Sequence, residues 1–477
     1  MSIPFLKGHH FHFIGIGGIG MSSIAEILYT LGCPVKGSDL KENANTQRLQ
    51  DLGIEIFIGH SPNHIHNAQI VVVSSDVPSG NIEVLTGQKQ GIPVLKRAEM
   101  LAEIIKLKRS IAVSGTHGKT TTTSLMAALL DEAALDPLVI NGGVMNAYGT
   151  NARFGKGEWA VVEADESDGS FTLLCPTLAV VTNIDAEHLS FYGTTDNLHR
   201  AFLGFLNTIP FYGLAVLCGD HPTVMSLLPS LRNRRFLTYG LTHKAMVKGV
   251  NLRQSCEGTT FDVDIDRSGS LHPRLFTKGN HEKPLKYSLK DLFLPMMGLH
   301  NVQNCLSAIA VADELGIKDE ILYQALKGFK GVKRRFTVVG TVKGITIIDD
   351  YAHHPVEIET VIKAAKQATK GRIWVVMQPH RYTRLRDLFD EFVDCVRGVF
   401  QVILTPVYAA NEDPISGVNS EVLSQALSSK NIHNRFVSDF KGLVALLNQD
   451  TQTGDLILCL GAGDITIWAS DLVHHLS

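Results

Sequence analysis

The chain has 477 residues, enough for about three domains of ordinary size. Its 44 basic and 47 acidic residues nearly cancel, so no basic excess points to nucleic acid or a membrane surface as a partner. The 7 cysteines are scattered and form no C-x-x-C pair, which favours reduced thiols over disulfides or a zinc site. Neither a signal-peptide pattern nor a run of about eighteen apolar residues is present. These features predict a cytoplasmic enzyme that acts on small molecules.

The first glycine-rich segment lies between two predicted strands. Phe11–Ile14 is predicted to be a strand, the loop G-I-G-G-I-G follows it, and residues 21–31 have helical spacing before a second strand that ends at Asp39. Strand, glycine loop, helix and an acid about twenty residues further on form a dinucleotide fingerprint, which places a phosphate at the helix N-terminus. Further strand-like runs complete an open α/β sheet at 54–57, 70–74 and 93–95.

This fingerprint does not identify the nucleotide. By spacing alone it fits an NAD-dependent dehydrogenase, with Asp39 at a ribose hydroxyl. Three histidines, His9, His10 and His12, stand beside the loop and could be considered as metal ligands. Because they have no carboxylate partner nearby in the sequence, we expect them to be structural.

The second glycine-rich segment is I-A-V-S-G-T-H-G-K-T-T-T-T-S at residues 111–124. An apolar strand leads into a turn with Gly115, Gly118 and Lys119, and a helix is predicted over 120–130. Such a turn directs backbone N–H groups and a helix dipole at an anion. Lys119 would then reach the β- and γ-phosphates, and the Thr120 hydroxyl would bind Mg²⁺. Only two residues separate the glycines, whereas the common P-loop has four.

Acidic residues follow the next two predicted strands. Strand 159–163 ends in E-A-D-E-S-D at 163–168, and strand 178–182 ends in N-I-D-A-E-H at 183–188. The carboxyl ends of parallel strands meet at one sheet edge, so these acids suit Mg²⁺ coordination, and His188 could complete a second metal site. A solvated acidic turn is the alternative for the first group.

A helix and a basic linker follow a less informative stretch. Residues 249–291 have the pattern of antiparallel strands but no assignable function. G-L-H-N-V-Q-N at 298–304 begins a helix in which Asn301 and Asn304 share a face, and both helix capping and contact with a nucleotide base fit this pattern. The glycine-flanked basic stretch at 328–336 is the predicted hinge.

The last third begins a new α/β pattern. A strand over 345–348 ends in D-D-Y-A-H-H-P, and a strand over 373–377 ends in Q-P-H-R-Y-T-R. These clusters again lie where parallel strands place their ligands, and their arginines suit capture of a carboxylate or phosphate. The last strand, 455–460, leads into a third glycine turn.

In their order along the chain, these motifs resemble the Mur ligase family. The similarity rests on GIGGIGMS, SGTHGKTTTT, EADESD, the NID and EH pair, GLHNVQN, the RRF linker, DDYAHHP and QPHRYTR, and it spans nearly the whole chain. It implies an α/β fold of three domains: an N-terminal Rossmann-like UDP-binding sheet (1–108), a central P-loop ATPase-type sheet (109–330) and a C-terminal Rossmann-like amino-acid domain (331–477).

The resemblance implies a role for each motif. The UDP-sugar would be bound by Gly15, Gly17, Gly18, Gly20, Asp39 and Ser74. ATP would be bound by Gly115, Thr116, His117, Gly118, Lys119, Thr120, Thr121, His300, Asn301, Asn304 and Asp350. Mg²⁺, in two sites, would be held by Thr120, Glu163 and His188, and the catalytic group would comprise Lys119, Glu163, His188 and Arg335. The amino acid would be held by Tyr351, His353, Arg381 and Arg384, with His353 a candidate base for its amine.

The implied reaction is ATP-dependent ligation of L-alanine to the lactyl carboxylate of UDP-N-acetylmuramate through an acyl phosphate, for peptidoglycan precursors, by a monomer or weak homodimer. Many Mur ligases use a carbamylated lysine in the central domain, but residues 157–243 contain no lysine, which leaves His188 and water. Two segments depart from the family pattern, Met21-Ser22-Ser23 and Ser74-Ser75-Asp76. The alternatives are a peptidoglycan-recycling ligase that adds a peptide, the dehydrogenase, and a non-enzymatic nucleotide-binding regulator.

Overall fold

The computed structural model describes residues 8–231, 233–242, 245–255, 257–268, 274–276, 283–410 and 412–476. Three sheets follow one another along the chain, which confirms the predicted three-domain α/β class. None of the helices in these ranges combines the length and apolar content that crossing a membrane requires. Six of the cysteines are free thiols, and Cys256 lies outside the described residues.

The first sheet has five parallel strands in the order β3-β2-β1-β4-β5. Its strands are β1 (Phe11–Ile14), β2 (Val35–Asp39), β3 (Glu55–Ile58), β4 (Ile70–Val73) and β5 (Val94–Lys96), within one residue of prediction. Its helices are α1 (Ile19–Thr30), α2 (Ala44–Asp51), α3 (Ile82–Lys89) and α4 (Arg97–Ile105). Strand order reverses at β1 and β4, and this switch point is where open α/β sheets bind ligands.

The second sheet has ten strands in the order β15-β14-β13-β12-β11-β10-β6-β9-β7-β8. They are β6 (Arg109–Ser114), β7 (Leu138–Met145), β8 (Thr150–Arg153), β9 (Trp159–Glu163), β10 (Leu178–Val181), β11 (Leu214–Cys218), β12 (Phe236–Gly240), β13 (Val247–Ser255), β14 (Gly258–Asp266) and β15 (Lys286–Leu294). The helices are α5 (Lys119–Glu132), α6 (Leu189–Tyr192), α7 (Thr195–Asn207), α8 (Pro222–Ser226), α9 (Leu299–Leu315) and α10 (Asp319–Lys327). β6 lies between β9 and β10 and is parallel to both, so their carboxyl ends flank the turn after β6.

Two sequence predictions for this sheet need revision. The strand after helix α5 was expected at 159–163, but β7 and β8 come first, because glycines within β7 weaken its strand pattern. Strands at 249–291 are found, while residues 256, 269–273 and 277–282 of that segment lie outside the described residues, and its antiparallel pairing stays a prediction.

The third sheet has six strands in the order β16-β17-β21-β18-β19-β20, parallel except for β16 against β17. They are β16 (Thr337–Val342), β17 (Ile345–Asp350), β18 (Ile373–Met377), β19 (Gln401–Leu404), β20 (Asn434–Phe436) and β21 (Leu456–Leu460). The helices are α11 (Pro355–Ala368), α12 (Tyr382–Asp387), α13 (Phe389–Asp394), α14 (Ser420–Ser429), α15 (Phe440–Asp450) and α16 (Ile465–His475). β16, β19 and β20 were not predicted. β17 is two residues longer than expected, so Asp349 and Asp350 belong to the strand.

The central strands of the third sheet, β17, β21 and β18, are buried on both faces, which explains their nearly continuous apolar sequence. In β21, Leu456, Leu458 and Leu460 join one core with helices α11 and α14. Ile457 and Cys459 join the opposite core with helices α15 and α16. Alternate side chains of a strand point to opposite faces, so one strand supplies both cores.

The chain divides into two compact units. One holds the first sheet and most of the second, and the other holds the third sheet together with Asn251–Phe261 and Phe293–Val302. The domain boundaries at 108/109 and 330/331 stay predictions.

Candidate functional site

The turn between β6 and α5 requires glycine at two positions. Gly115 has a φ of +133° and Gly118 a φ of +81°, conformations that other residues adopt only with strain. A Cβ on Gly115 would lie 2.1 Å from Thr182 Oγ1, and one on Gly118 would lie 2.7 Å from Asn304 Oδ1. The loop therefore packs directly against the end of β10 and against α9. This is the strand, turn and helix N-terminus that the sequence predicts.

Residues after β10 anchor the phosphate loop. The His117 N–H donates to Asn183 Oδ1 at 2.7 Å, and the His117 carbonyl accepts from Thr182 Oγ1 at 2.7 Å and from Asn183 Nδ2 at 3.0 Å. The Thr116 hydroxyl accepts the Asp185 N–H at 2.9 Å. The sequence drew attention to the acids of the N-I-D segment. In the structure, it is Asn183 of this segment that forms hydrogen bonds with the phosphate loop and fixes its shape.

The Lys119 ammonium is fixed at the loop. Its Nζ donates to the carbonyls of Gly115 at 2.6 Å and Thr116 at 3.2 Å, and to Glu166 Oε1 at 2.9 Å. Burial lowers the pKa of Lys119, but Glu166, Asp165 and Glu163 outweigh that effect and raise it. Burial also raises the pKa of Glu166, while the Lys119 ammonium, 2.9 Å from Glu166 Oε2, opposes this rise. A cation is therefore present at the position where phosphates would lie.

The acidic residues after β9 have different partners. Glu163 Oε2 accepts the Gly142 N–H at 2.8 Å, whereas Glu166 contacts Lys119. Asp165 Oδ2 is 3.9 Å from Arg97 Nη2, which joins this edge to the first domain. Sequence reasoning found the group but missed Glu166 as the lysine partner and Gly142 as the glutamate partner. The motif itself contains Glu166, but no feature of it shows which acid faces the lysine.

Histidines surround the acids after β10. His188 Nε2 lies 3.7 Å from Glu166 Oε1 and 3.8 Å from Glu187 Oε2. His117 Nε2 lies 3.3 Å from Glu187 Oε1, and His221 Nε2 lies 3.3 Å from Asp185 Oδ1. The structure thus places His188 at the same edge as the phosphate-loop lysine, linked through Glu166.

The side chains at the start of α9 have distinct surroundings. Asn304 lies against Gly118 of the phosphate loop, as the close Cβ approach shows. The Asn301 amide donates to the Met297 carbonyl at 2.7 Å, so one of its hydrogens is used within the turn. Burial, aided by Arg335, lowers the pKa of His300 to about 4 and keeps the ring neutral. Contact of these three residues with adenine stays a prediction.

The glycine loop of the first sheet is closed by the predicted acid. Asp39 Oδ2 accepts the Gly17 N–H at 2.8 Å, and Asn45 Nδ2 donates to the Gly17 carbonyl at 2.8 Å. Gly15 has a φ of +77°, and its Cβ would lie 3.2 Å from Ser74 Cβ at the switch point. The sequence predicts that Asp39 contacts a ribose. In the structure, one of its two carboxylate oxygens accepts a hydrogen bond from the glycine loop, and contact with a ribose stays a prediction.

The rest of this loop opens helix α1. Gly18 caps the helix with extended backbone, and a Cβ on Gly20 would lie 3.0 Å from Arg97 Nη1. Arg97 also approaches Asp165 of the central domain, and Asn151 Nδ2 donates to the Ile19 carbonyl at 2.8 Å. The N-terminal end of α1 is therefore in contact with the central domain.

The end of β17 is organised around a buried carboxylate. Asp350 Oδ2 accepts the Phe336 N–H at 2.7 Å, and Oδ1 accepts the Ala352 N–H at 2.8 Å. Burial raises the pKa of Asp350 to about 6, although Arg335 opposes this. The carboxylate expected near ribose thus fixes the linker to the strand.

Two linker arginines stack on one ring. The guanidinium carbons of Arg334 and Arg335 lie 4.8 Å and 5.4 Å from the Tyr351 ring centre. Arg335 Nη1 is also 3.8 Å from Glu357 Oε1. Cation–π contact orients both side chains at the end of β17.

A cluster of rings and arginines connects the ends of β17 and β18. The His353 ring centre lies 5.2 Å from that of Tyr351 and 5.5 Å from that of His380. Arg384 Nη1 is 3.1 Å from His380 Nδ1 and donates to the His380 carbonyl at 3.2 Å. Burial lowers the pKa of His353 to about 4, with Glu357 opposing and Arg384 assisting. The structure brings Tyr351, His353 and Arg384 together, and sequence reasoning missed His380 between them.

Arg381 occupies a strained position beside this cluster. Its φ is +71°, and its N–H donates to the Tyr408 carbonyl at 2.9 Å. Tyr408 stacks on His380 with ring centres 5.5 Å apart. Strain in a non-glycine residue at a strand end is typical of a functional site. Tyr408 follows β19 and carried no sequence signal that pointed to this cluster.

The fold and these sites define a nucleotide-using α/β enzyme with a phosphate loop. Three family models match the chain in order: "Mur ligase family, catalytic domain" over 10–109, "Mur ligase middle domain" over 113–312 and "Mur ligase, glutamate ligase domain" over 334–463. The chain belongs to the Mur ligase family. This membership makes the dehydrogenase interpretation of the first glycine loop wrong.

Curated relatives and solved structures agree with this assignment. UDP-N-acetylmuramate--L-alanine ligases from Brucella anthropi and Rhodospirillum rubrum are each 50% identical to the chain, over 98% of it and 97% and 94% of their own lengths. The crystal structure of a UDP-N-acetylmuramate-alanine ligase from Thermotoga maritima matches with 29% identity and a TM-score of 0.78 over 98% of both chains. A murein peptide ligase from Psychrobacter arcticus has the same fold at 24% identity and a TM-score of 0.69, over 98% of this chain and 99% of its own.

Proposed function

We propose that this enzyme joins L-alanine to the lactyl carboxylate of UDP-N-acetylmuramate, with ATP converted to ADP and phosphate, in peptidoglycan precursor synthesis. A carboxylate is a poor electrophile, so the reaction proceeds through an acyl phosphate that the alanine amine attacks. The tetrahedral adduct then releases phosphate and leaves the amide. The observation that carries the proposal is the fixed Lys119 ammonium beside Glu163 and Glu166. The half-identical relatives, all alanine ligases by name, support alanine as the amino acid.

Lys119 neutralises negative charge on the phosphoryl group during transfer. Its three N–H donors are used by two loop carbonyls and by Glu166, so a phosphate oxygen that binds the ammonium takes the place of one of these partners. The N–H groups of Gly118, Lys119, Thr120 and Thr121, at the start of α5, bind the phosphate oxygens, whereas those of Thr116 and His117 are bonded to Asn183. Arg335 is the further cation proposed for the same phosphates. His300, Asn301 and Asn304 contact adenine, and Asp350 lies on the ribose side.

The donors at this edge fit Mg²⁺. The Glu163 carboxylate and the Thr120 hydroxyl are hard oxygen ligands of the kind that Mg²⁺ prefers, and Gly142 holds the carboxylate in place. His188 would hold a second ion beside Glu166. When bound, the metal adds positive charge at the phosphates.

The two other substrates occupy the two outer sheets in this proposal. The UDP part lies on the loop of Gly15, Gly17, Gly18 and Gly20, with Asp39 and Ser74 beside it. L-alanine lies in the cluster of Tyr351, His353, Arg381 and Arg384, where an arginine fork binds its carboxylate. The enzyme acts in the cytoplasm as a monomer or weak homodimer.

The test is ATP-dependent phosphate release with UDP-N-acetylmuramate and a panel of acceptors. L-alanine should support turnover, and the panel should include glycine, L-serine and the tripeptide L-Ala-γ-D-Glu-meso-diaminopimelate. Turnover with the tripeptide but not with alanine would show a recycling ligase and overturn the proposal. Absence of turnover with every acceptor, in protein that binds ATP, would favour a regulator instead.

A further inference from the structure

A buried glutamate of the first domain, which has no part in the proposed reaction, forms hydrogen bonds with three other segments of that domain. Glu83 lies in the first turn of α3 and is fully buried. Its Oε2 is 3.1 Å from His12 Nε2 and accepts the Ser38 hydroxyl at 2.5 Å. Its Oε1 accepts the Ser61 N–H at 3.0 Å and lies 2.8 Å from His64 Nδ1. One carboxylate therefore ties β1, β2 and the segment after β3 to α3.

The charge of this group follows from its contacts. Burial raises the pKa of Glu83, but hydrogen bonds from His12, Ser38 and Ser61 outweigh it and lower the pKa to about 2. Burial lowers the pKa of His12, so its ring is neutral. Because the ionised carboxylate only accepts, the neutral ring must carry its proton on Nε2. His12 thus has the carboxylate partner that sequence reasoning did not find, 71 residues away.

Ser38 connects the buried carboxylate to the nucleotide edge. Its side chain binds Glu83, while its backbone carbonyl accepts the N–H groups of Gly15 at 2.8 Å and Ile16 at 3.0 Å. The next residue, Asp39, accepts the Gly17 N–H. Glu83 therefore bonds directly to Ser38, one of the two residues that hold the glycine loop, and Ser38 is the chain neighbour of the other, Asp39.

The segment after β3 is attached to the same point. The Gly59 N–H donates to the Asp39 carbonyl at 2.8 Å, and His60 Nδ1 lies 3.1 Å from the Ser38 hydroxyl. His60 Nδ1 is also 3.5 Å from Glu83 Oε2. The Glu83 carboxylate thus contacts both Ser38, at the end of β2, and residues 61 and 64 of the segment after β3.

We propose that Glu83 is a positioning residue for the nucleotide-sugar substrate. It touches no substrate, and it acts by holding Ser38 and residues 59–64 so that the glycine loop and Asp39 form a preorganised edge. This inference rests on the proposed binding of the UDP part at the first sheet. A buried carboxylate is weak evidence for a stabilising role by itself. The contacts of Glu83 lead instead to Ser38 and to the segment after β3, which border the glycine loop.

The test compares Glu83→Gln with wild type in the full chain. We expect the KM and the calorimetric Kd for UDP-N-acetylmuramate to rise about tenfold or more, which corresponds to loss of one charge-assisted hydrogen bond. The KM values for ATP and alanine should stay within about twofold, as should kcat at saturation. His64→Gln should act in the same direction, and the exposed His66→Gln, two residues away, should match wild type.

Two results would overturn the inference. One is an unchanged Kd for UDP-N-acetylmuramate in Glu83→Gln, and the other is an equal rise of all three KM values, which would indicate a general structural role. If Glu83→Gln does not fold, judged by circular dichroism, Ser38→Ala and His64→Gln decide by the same criteria.

Failure of the proposed site is recognised separately. A Cβ on Gly17 would lie 2.4 Å from Asn43 Nδ2 and 2.9 Å from Asp39 Oδ2, so Gly17→Ala must displace these side chains, including the carboxylate proposed to contact the UDP part. If Gly17→Ala also binds UDP-N-acetylmuramate normally, the first sheet is not the nucleotide site. If only Glu83→Gln binds it normally, the site stands and the positioning role is wrong.

Discussion

The Glu163 carboxylate, a proposed Mg²⁺ ligand, can be displaced by one methyl group. A Cβ on Gly142 would lie 2.6 Å from Glu163 Oε1 and 2.7 Å from Oε2, and the backbone of Gly142 is not left-handed. Gly142→Ala therefore creates a local collision without backbone strain. Ordinary contact begins at 3.4 Å, and the difference from 2.6 Å requires a shift of about 0.8 Å.

That shift weakens the 2.8 Å hydrogen bond from the Gly142 N–H to Oε2. A hydrogen bond to a charged group contributes about 1.5–3 kcal/mol, or about 10- to 150-fold in binding. Because Glu163 is partly exposed, we expect the lower end of that range. The Mg²⁺ concentration for half-maximal phosphate release should rise about tenfold.

The assay is a Mg²⁺ titration of phosphate release at saturating substrates, followed by direct titration of Mg²⁺ with ADP present. Gly204→Ala is the matched control, since Gly204 lies exposed in α7 and its Cβ would meet no atom within 4 Å. Overlapping Mg²⁺ curves for Gly142→Ala and wild type would refute the placement of Glu163 at the metal.

Three further predictions concern the phosphate loop and the third sheet. Lys119→Ala should bind UDP-N-acetylmuramate normally but lose phosphate release by about a hundredfold or more, because phosphoryl charge is no longer neutralised. Arg384→Ala should raise the KM for alanine far more than that for ATP, whereas the exposed Arg386→Ala should change neither. Burial lowers the pKa of His380 to about 3, so the folded ring stays neutral while the unfolded ring gains a proton near 6.5. Stability is therefore lost as pH falls below 6.5, and His380→Asn should reduce that slope in thermal melts, with His433→Asn as control.

Each of these predictions has a contrary outcome. Normal turnover of Lys119→Ala would remove the lysine from the mechanism. Equal KM changes for ATP and alanine in Arg384→Ala would contradict the amino-acid site. Because Asp350 has a raised pKa and acts with the opposite sign, the comparison must be between variant and wild type over pH 7 to 5, and parallel curves would show that His380 does not contribute.

The phosphate loop was fully predictable because all its parts are contiguous. Gly115, Gly118, Lys119 and Thr120 occupy one strand, turn and helix start, and a local motif of this kind needs no knowledge of distant segments. The main strands of the three sheets were predictable for a similar reason. Residues buried on both faces give apolar runs that propensity and flanking glycines delimit. β7 and β16 are interrupted by glycine, and β8, β19 and β20 have only three or four residues; these five strands were missed.

Partners within the sites depend on sheet order, which a sequence does not state. Lys119 meets Glu166 because β9 lies on one side of β6, and the loop meets Asn183 because β10 lies on the other. The Gly142 contact to Glu163 requires β7 to pair with β9.

The amino-acid sequence by itself determined which motifs exist, their order and the family that they resemble. Only the tertiary structure decided which side chain faces which, as with His12, whose partner Glu83 is distant in sequence and adjacent in the fold. The physical reason is that a hydrogen bond between side chains depends on the path of the chain between them, and strand order and crossovers set that path.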